Sequence, residues 1–445
     1  MTGSSLEVIR ELIMPSISHP SSYYAASAND RRQRPSLQGE VATDICVIGA
    51  GYSGLSTALH LAEQGFSVTV LEASRIGYGA SGRNGGQIVH GYSRDIDFIE
   101  KNYGHKTGAA MGQMAFAGGE IIRRLIDQYA IQCDLKPGGI FAACNAKQLA
   151  GLQAKQELWQ SHGHQQLELL SAERMQQYVG SERYHGGLLD NSSGHFHPLN
   201  LVLGEAAALE SLGGVIHEGS AVIRVEPGTQ ANHHRARVHT DQGCVSADFV
   251  MVAGNAYLGD LIPKLQRKAI PCGTQIVATE PLSPTLQQQL LPQGQCIEDC
   301  NYLLDYFRLS GDGRLVYGGG VTYGEREPNK IEALIVPKLL KTFPQLGGVK
   351  IDYAWTGNFL LTLMRLPQLG RIGSNIYYAQ GYSGHGVTCS HLAGKVIADA
   401  IQGQAERFDV FAGLPQPAFP GGQRLRIPLT ALGAWYYSLR DQLGL

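Results

Sequence analysis

Three glycines and one glutamate near the N-terminus have the types and the spacing needed to bind a dinucleotide. Gly49, Gly51 and Gly54 form a G-x-G-x-x-G motif, and Glu72 follows about twenty residues later. Glycines at these positions allow a tight turn, close approach of a pyrophosphate to the backbone, and close packing of a helix on a strand. A carboxylate at this distance can accept hydrogen bonds from ribose hydroxyls. The cofactor residues predicted from this motif are Gly49, Ala50, Gly51, Tyr52, Ser53, Gly54, Glu72 and Ala73.

The segments on either side of the glycines have the patterns that would position them. Residues 45–48 form an apolar, β-branched run typical of a buried parallel strand. Apolar residues then recur at helical spacing over residues 55–66, and Gly65 is placed to end that helix. Residues 67–71 predict a second strand, which ends at Glu72. This order predicts a Rossmann-like unit in which the N-terminus of the helix faces the phosphates.

A glycine-rich loop after the second strand distinguishes a flavin enzyme from a nicotinamide enzyme. Residues 77–86 contain five glycines, whereas a nicotinamide dehydrogenase would normally continue into the next strand–helix unit. Such a loop can follow an extended ligand closely, with polar side chains beside it. The alternative is a flexible surface loop. On the first interpretation the loop adds Ser81, Arg83, Asn84, Gly85, Gly86 and Gln87 to the predicted cofactor site.

A second strand–glycine turn–helix unit lies near the C-terminus. Residues 376–379 predict a strand, G-Y-S-G-H-G follows at 381–386, and a helix with an apolar face continues to about residue 400. The N-terminus of that helix would stabilise negative charge on a reduced flavin ring. Residues 249–253 predict a strand that returns beside the dinucleotide. The residues added here are Val222, Ala253, Gly254, Gly381, Tyr382, Ser383, Gly384, His385, Gly386 and Val387.

Together these motifs resemble the D-amino-acid-oxidase-type FAD oxidoreductases. That family combines an N-terminal dinucleotide fold, a glycine-rich flavin loop and a C-terminal G-[FY]-S-G-H-G, and the resemblance extends from about Ser21 to the end of the chain. It implies an FAD cofactor. The loop at 77–86 contains neither His nor Cys, so we expect the flavin to be bound non-covalently. The closer similarity, to members that oxidise gamma-glutamylputrescine, is carried by S-S-Y-Y-A-A-S-A-N at 21–29, H-P-L-N-L at 197–201, E-D-C-N-Y-L-L-D-Y at 298–306 and W-T-G-N-F-L-L-T-L at 355–363.

The fold that the resemblance implies is α/β, or α+β overall, with a discontinuous Rossmann-like FAD domain threaded through a β-rich substrate domain. The sequence agrees, because residues 135–141 and 302–323 predict strands, Gly318–Gly320 a bend or close packing, and residues 330–345 a helix. The expected segments are an N-terminal arm at 1–40, much of it mobile; FAD-binding segments at 41–134, 196–265 and 353–405; substrate-domain segments at 135–195 and 266–352; and a C-terminal tail at 406–445 with a closing helix over 428–443.

The reaction that the resemblance implies is oxidation of the terminal primary amine of a gamma-glutamylated diamine. Hydride leaves the carbon beside the nitrogen for the flavin, the imine hydrolyses to an aldehyde and ammonia, and oxygen becomes hydrogen peroxide. An alkylammonium with a pKa near ~10 must become neutral first. Burial against aromatic walls can achieve this, so no catalytic base is assigned. Two alternatives stay open: an amino-acid or secondary-amine oxidoreductase of the same fold, with oxygen or a quinone as acceptor, and a flavoprotein without amine oxidation.

Two arginines could hold the carboxylate of the glutamyl group in a planar fork. Arg308 lies on a predicted strand of the substrate domain, and Arg365 precedes the C-terminal motif where many relatives have Asp before the proline. For both, the alternative is a surface or flavin-supporting arginine. Tyr302 and Tyr306 could line an apolar channel for the diamine, and the alternative for them is strand packing.

Composition and the remaining candidate ligands exclude other classes of function. Lys+Arg 36 against Asp+Glu 38 gives a net charge of −2, which offers no basic surface for nucleic acid. No apolar run is long enough to span a bilayer and no signal peptide is evident, so we expect a cytoplasmic enzyme whose oligomeric state stays open. His195 and His197, and Cys296 and Cys300, lack further ligands, so no metal site is predicted. We interpret the histidines as core and as a helix start before Pro198, and the cysteines as free thiols.

Overall fold

Two β-sheets and the helices that cover them make up the computed structural model, which describes residues 18–228, 235–324, 328–420 and 425–432. The strands are β1 (Gly39–Ile48), β2 (Val68–Leu71), β3 (Gln87–Ile88), β4 (Lys136–Ala143), β5 (Leu167–Ser171), β6 (Gly186–His195), β7 (Val215–His217), β8 (Val222–Glu226), β9 (Ala236–Thr240), β10 (Gly243–Val252), β11 (Ala269–Thr279), β12 (Cys296–Asp299), β13 (Asp305–Leu309), β14 (Leu315–Tyr323), β15 (Ile351–Thr362), β16 (Gln368–Ile372) and β17 (Ile376–Gln380). The helices are α1 (Tyr23–Ala26), α2 (Tyr52–Ala62), α3 (Ile96–Tyr103), α4 (His105–Met114), α5 (Ala117–Gln128), α6 (Ala146–Ser161), α7 (Ala172–Met175), α8 (Pro198–Ser211), α9 (Pro263–Gln266), α10 (Pro284–Leu290), α11 (Ile331–Thr342), α12 (Gly386–Ile401) and α13 (Glu406–Ala412).

The first sheet has the order β16-β17-β10-β1-β2-β7. Its central strands are parallel: β1 pairs with β2 and β10, β2 with β7, and β10 with β17. Strands β8 and β9 extend it as an antiparallel meander on β10. Helices α2 and α12, which follow the two glycine motifs, pack against each other. The predicted Rossmann-like unit and the returning strand over residues 249–253 are therefore confirmed.

The second sheet has the order β15-β11-β14-β13-β12-β4-β6-β3, and β5 also pairs with β6. It is antiparallel except for the parallel pair of β4 and β12. The strand predicted over 302–323 is in fact the hairpin of β13 and β14. Strand β15 lies in this sheet, although the expected boundary at residue 353 gives most of it to the FAD domain. We therefore propose a boundary after Thr362.

The N-terminal segment contradicts the expectation of a mobile arm over residues 1–40. Residues 18–38 pack on the body of the protein, and β1 begins at Gly39. Tyr24 is fully buried, and the Arg34 guanidinium pairs with Glu210 at 2.9 Å. The sequence did not indicate this packing, because the segment is polar overall and is held by single residues such as Tyr24 and Arg34. Residues 1–17 lie outside the described part of the chain.

The structure also tests several predictions about smaller elements. The helix predicted over 330–345 is confirmed as α11. Close packing at Gly318 is confirmed, because a Cβ there would lie 2.2 Å from Cζ of Tyr306. Of the closing helix predicted over 428–443, residues 428–432 are helical and the remainder lies outside the described residues. Within the described ranges, we find no helix long and apolar enough to cross a membrane.

Candidate active site

The first glycine turn joins the end of β1 to α2 and leaves no room for side chains. Gly49 has φ +105° and donates its N–H to the carbonyl oxygen of Leu71 at 2.8 Å. A Cβ on Gly49 would lie 2.9 Å from the carbonyl oxygen of Ala253, and a Cβ on Gly54 would lie 2.0 Å from that of Gly49. The N-terminus of α2 is thereby fixed beside the ends of β1 and β10, where its backbone N–H groups can face a phosphate.

Glu72 follows β2, and its carboxylate is held by backbone donors. Oε2 accepts a hydrogen bond from the N–H of Ala50 at 2.8 Å, and Oε1 accepts one from the N–H of Ser74 at 2.9 Å. Burial raises the pKa of Glu72, while these backbone groups act in the opposite direction. Each carboxylate oxygen can accept a further hydrogen bond. Glu72 also lines the cavity described below, so it can accept from hydroxyl groups of a ligand.

The glycine-rich loop is ordered by hydrogen bonds within itself and to α2. Ser81 Oγ accepts from the N–H of Tyr52 at 2.9 Å, which joins the loop to the start of α2. The Asn84 amide donates to the carbonyl oxygens of Ala80 and Ser81 at 3.0 and 2.9 Å, and its Oδ1 accepts from the N–H of Gly86 at 2.7 Å. The loop is therefore a packed part of this region rather than a free surface loop.

Arg83 carries a positive charge within this loop and lies against two aromatic rings. Its Nε donates to the carbonyl oxygen of Tyr78 at 2.7 Å. Its guanidinium carbon lies 4.8 Å from the ring centroid of Tyr78 and 5.4 Å from that of Tyr257. Trp355 Nε1 donates to the carbonyl oxygen of Arg83 at 3.1 Å. The protein thus fixes one guanidinium in the wall of the cavity.

The C-terminal glycine motif forms a second helix N-terminus close to the first. Ser383 with φ +54° and Gly384 with φ +103° turn the chain from β17 into α12. The hydroxyls of Tyr382 and Ser53 are hydrogen-bonded at 2.5 Å, which joins the start of α2 to this turn. His385 Nδ1 is buried without a hydrogen-bond partner in the described structure, and burial lowers the pKa of His385 to about 4. A neutral imidazole therefore lines the cavity.

These elements surround a cavity of about 660 Å³, a size typical of small-molecule and cofactor sites. Nearly all the cofactor residues predicted from the sequence line this cavity. The exceptions are Ala50, Gly54, Gly86 and Gly381, which belong to the turns behind its wall. Lining residues that the sequence did not single out include Tyr78, Arg94, Asn255, Tyr257 and Glu298.

A family model described as FAD dependent oxidoreductase matches residues 44–400 of the chain. The chain belongs to this family. The predicted resemblance and fold are therefore confirmed, and the cofactor of this enzyme is FAD.

Two curated relatives match nearly the full length of the chain. The gamma-glutamylputrescine oxidoreductase of Escherichia coli K12 is 60% identical and covers 96% of this chain and 99% of its own. A Haemophilus influenzae protein named "Probable oxidoreductase OrdL" is 40% identical over 95% of this chain and 98% of its own. Two solved structures, each 20% identical, share the fold. Glycine oxidase from Bacillus cereus has a TM-score of 0.67 and covers 83% of this chain and 97% of its own, and L-proline dehydrogenase from P. horikoshii has a TM-score of 0.66 and covers 92% and 99%.

The cavity fits the FAD of this family in three respects. Gly51 lines the cavity at the start of α2, where the loop packs so closely that a Cβ would lie 2.8 Å from Ser81 Oγ. The N-termini of α2 and α12 both reach the cavity and can face negative charge. The unpartnered Nδ1 of His385 is a buried polar atom available to a ligand. The contact of each individual residue with the cofactor stays a prediction.

Arg365 and Tyr302 line the cavity together, as predicted candidates for the substrate. Arg365 Nη2 donates to the Tyr302 hydroxyl at 2.6 Å, and its guanidinium carbon lies 5.4 Å from the centroid of that ring. Arg365 has φ +58°, a backbone conformation that is unusual for any residue but glycine. Tyr302 is 36% exposed, so this pair lies on the solvent side of the cavity.

Tyr306 and Arg308 lie on the same face of β13, because alternate residues of a strand point the same way. The Tyr306 ring lines the cavity and would lie 2.7 Å from a Cβ on Gly85. Arg308 is 3% exposed, donates to the carbonyl oxygen of Gly85 at 2.7 Å and to the Tyr24 hydroxyl at 3.0 Å, and does not line the cavity. The structure therefore places Arg308 behind the cavity wall, with its guanidinium engaged by Gly85 and Tyr24. It supports the glycine-rich loop, which is the alternative given above.

Glu298 is a cavity residue that reasoning from the sequence missed. It lies on β12, directly opposite Tyr306 of β13. Burial raises the pKa of Glu298 to about 7, and the charge of Asp299 acts in the same direction. Two consecutive acidic residues on one strand must point to opposite faces of the sheet. No strand was predicted at 296–299 from the sequence, so only the folded chain shows that Glu298 is the one that lines the cavity.

The histidines considered as metal ligands have other partners. His197 Nδ1 accepts from the N–H of Asn200 at 3.1 Å and caps α8, so its interpretation as a helix-start residue is confirmed. His195 Nε2 lies 2.9 Å from the carbonyl oxygen of Gly294. All eight cysteines are free thiols, and six of them are buried.

A different group, formed by His90, His164 and Asp190, is buried away from the cavity with its ligand-type atoms within 4.8 Å of one another. Asp190 Oδ1 accepts from the N–H and the hydroxyl of Ser192 at 2.9 and 2.7 Å. Asp190 Oδ2 lies 3.0 Å from His164 Nε2. Both carboxylate oxygens have hydrogen-bond partners, whereas His90 Nδ1 has none among the described residues, so the group is a buried polar network with one open ring nitrogen.

Proposed function

We propose that this protein is a FAD-dependent oxidase of gamma-glutamylputrescine. It would oxidise the terminal primary amine to gamma-glutamyl-aminobutyraldehyde and release ammonia and hydrogen peroxide. The observation that carries the proposal is the 60% identity to the E. coli gamma-glutamylputrescine oxidoreductase, which covers 96% of this chain and 99% of the relative. The match includes all segments of the chain that line the cavity, so the substrate site of the relative has its counterpart here.

The residues that would hold the cofactor follow from the geometry. Bound FAD supplies the two-electron oxidation of the amine. The N-terminus of α2, with Gly51 at its start, would hold the pyrophosphate, and Glu72 would accept hydrogen bonds from the ribose. The N-terminus of α12 and the Arg83 guanidinium would stabilise negative charge beside the ring. Val222 would line the part of the cavity next to Glu72.

FAD would be bound non-covalently. No cysteine is among the described residues that line the cavity, and Cys389 Sγ donates to the carbonyl oxygen of Gly91 at 3.4 Å instead. Precipitating the purified protein with acid tests this assignment. Yellow flavin should remain in the supernatant, whereas flavin that stays with the pellet would show a covalent link.

The substrate would lie with its carboxylate near Arg365 and its diamine chain along aromatic side chains. Arg365 offers a planar fork of N–H donors that matches a carboxylate. Tyr302 and Tyr306 line the same cavity and can cover the methylene groups. The amine R-CH₂-NH₂ and oxygen would give the imine R-CH=NH and hydrogen peroxide, and water would then convert the imine to the aldehyde and ammonia.

Anaerobic mixing of the purified yellow protein with gamma-glutamylputrescine tests the proposal. The flavin absorbance near 450 nm should bleach, and admission of air should restore it with release of one peroxide per turnover. Bleaching by sarcosine, glycine or a D-amino acid instead would favour another amine oxidoreductase of this fold. Bleaching that oxygen reverses only slowly, but a quinone reverses quickly, would change the acceptor. A flavin that no amine bleaches would overturn the proposal.

A further inference from the structure

Glu298 presents a carboxylate to the cavity without a partner from the protein. It lies on β12 between β4 and β13, with Phe141 and Tyr306 as its paired neighbours. Its side chain lines the cavity, and none of the described residues hydrogen-bonds or ion-pairs with it. A carboxylate removed from bulk water is unfavourable unless it is neutralised or paired. Glu298 therefore requires either a proton or a cation that enters the cavity.

The charged groups around Glu298 are already engaged with one another. Asp299, which points to the opposite face of β12, accepts from Arg183 Nη2 at 3.0 Å. The Lys155 ammonium is paired with Asp95 and lies 4.5 Å from the ring centroid of Trp159. The remaining titratable neighbours are neutral at pH 7, because burial raises the pKa values of Cys296, Cys300 and Tyr306. The positive group that acts on Glu298, Lys155, is thus already paired with Asp95.

We propose that Glu298 is a catalytic residue that binds the ammonium group of the amine to be oxidised and takes its proton. This inference rests on the proposed amine oxidation. The step is R-CH₂-NH₃⁺ plus Glu298-COO⁻ giving R-CH₂-NH₂ plus Glu298-COOH, so the neutral amine is formed inside the cavity. The proton returns to solvent after the product leaves. Because burial raises the pKa of Glu298 to about 7, its carboxylate is a stronger base than an exposed glutamate.

The position of Glu298 places it at the reacting end of the substrate. Its cross-strand neighbour Tyr306 packs against Gly85 of the glycine-rich loop, which belongs to the predicted cofactor site. Arg365 and Tyr302 lie instead on the solvent side of the cavity. A gamma-glutamylated diamine has a cation at its diamine end and a carboxylate at the other, which matches this order of charges.

The test is Glu298→Gln, which keeps the shape of the side chain and removes the charge. Anaerobic stopped-flow mixing gives the rate constant of flavin reduction divided by the substrate Kd. At pH 7 we expect this ratio to fall on the order of 100-fold or more, the usual contribution of a general base. In the variant the ratio should rise about tenfold per pH unit toward pH 10, because only amine that is already neutral in solution can react. In the wild type it should level off above about pH 7.

Binding separates the amine end from the rest of the ligand. Calorimetry with gamma-glutamylbutylamide, which lacks the terminal amine, should give the same Kd for the wild type and for Glu298→Gln. Gamma-glutamylputrescine itself reduces the flavin, so its Kd comes from the stopped-flow data, and this Kd should be at least tenfold higher for the variant. Glutarylputrescine, which lacks the α-ammonium, should show the same loss. A loss that disappears with glutarylputrescine would overturn the assignment, because Glu298 would then bind the α-ammonium.

Three controls keep the inference open to refutation. Glu168→Gln changes a glutamate on β5 of the same sheet that pairs with Arg174 at the surface, and it should behave as the wild type. If Glu298→Gln fails to fold, Glu298→Asp takes its place in the test. This variant keeps the carboxylate and should retain the wild-type pH profile. A twofold or smaller change in Glu298→Gln at pH 7, or an equal loss at all pH values, would overturn the inference. If another amine reduces the wild type, the proposed substrate fails, and the same comparison made with that amine still tests Glu298.

Discussion

Replacing Arg365 tests whether the solvent side of the cavity selects a carboxylate. We expect Arg365→Gln to weaken binding of gamma-glutamylputrescine with little effect on the limiting rate of flavin reduction, because the proposed binding mode places Arg365 away from the reacting amine. The backbone contributes no change of its own. Residue 365 has φ +58°, and arginine and glutamine carry the same cost in that conformation. The effect therefore reports the guanidinium alone.

The magnitude follows from the exposure of the pair. A hydrogen bond to a charged group contributes about 1.5–3 kcal/mol net. Arg365 is half-buried, and solvent screening reduces that value to about 1–2 kcal/mol. This corresponds to a roughly 5–30-fold increase in Kd. Tyr302→Phe, which removes the hydroxyl that accepts from Arg365 at 2.6 Å, should change Kd by less than about threefold because the guanidinium remains.

The assay is anaerobic stopped-flow reduction at several substrate concentrations, which gives Kd and the limiting rate separately. N-butyrylputrescine is the control substrate, because it keeps the amide and the diamine and lacks both the carboxylate and the α-ammonium of the glutamyl group. Wild type and Arg365→Gln should bind this control equally. The reasoning is refuted if the variant weakens both substrates to the same extent, or if gamma-glutamylputrescine binds to it as tightly as to the wild type.

Three further predictions follow from other parts of the structure. Gly51→Ala should lower FAD content and raise the Kd for added FAD at least tenfold, because its Cβ would meet Ser81 Oγ at 2.8 Å. The control Gly151→Ala has open space around its Cβ and should leave FAD content and Kd unchanged. The ratio of flavin absorbance to protein absorbance measures both variants. Burial lowers the pKa values of His195 and His197 to about 3. Below about pH 6.5 these two histidines are therefore protonated in the unfolded chain and remain neutral in the folded chain. The free energy of unfolding should therefore fall with decreasing pH by up to about 1.4 kcal/mol per pH unit for each histidine, and a value that stays constant from pH 7.5 to 5 in denaturant titrations would contradict this. Free putrescine, whose second ammonium would face the arginine at position 365, should give a ratio of reduction rate to Kd at least 100-fold below that of its gamma-glutamyl form, and comparable ratios would argue against a carboxylate-selective site.

The parts of the site that could be predicted from the sequence are those fixed by local spacing. The glycines at 49, 51 and 54 predict a strand end, a turn and a helix start, and all of these elements are confirmed. The same holds for the motif at 381–386, because a short segment contains both the strand that ends there and the helix that begins there. Backbone geometry of this kind depends on residues close together in the chain, so one sequence is enough to predict it.

The parts that could not be predicted depend on which face of a strand meets the cavity. Alternation places Tyr306 and Arg308 on one face of β13, but it does not show where along the strand the cavity ends. Tyr306 lies within the cavity wall, and Arg308, one step further on, meets Tyr24 and the loop backbone at Gly85. The N-terminal segment that supplies Tyr24 has no periodic pattern of its own, so this contact is visible only in the folded chain.

The roles proposed for Arg365 and Glu298 would also select which end of the substrate is oxidised. A gamma-glutamylated diamine carries a carboxylate and an ammonium at one end and a single ammonium at the other. With Arg365 on the solvent side and Glu298 beside the ring of Tyr306, the reverse orientation would bring a carboxylate toward Glu298 and a cation toward Arg365. Reversal would remove the carboxylate from Arg365 and bring a cation toward it, which disfavours the reversed orientation at that end. The orientation of the substrate therefore depends on Arg365 and Glu298 together. Replacing both residues should permit reversed, unproductive binding of the substrate, which neither single replacement should allow.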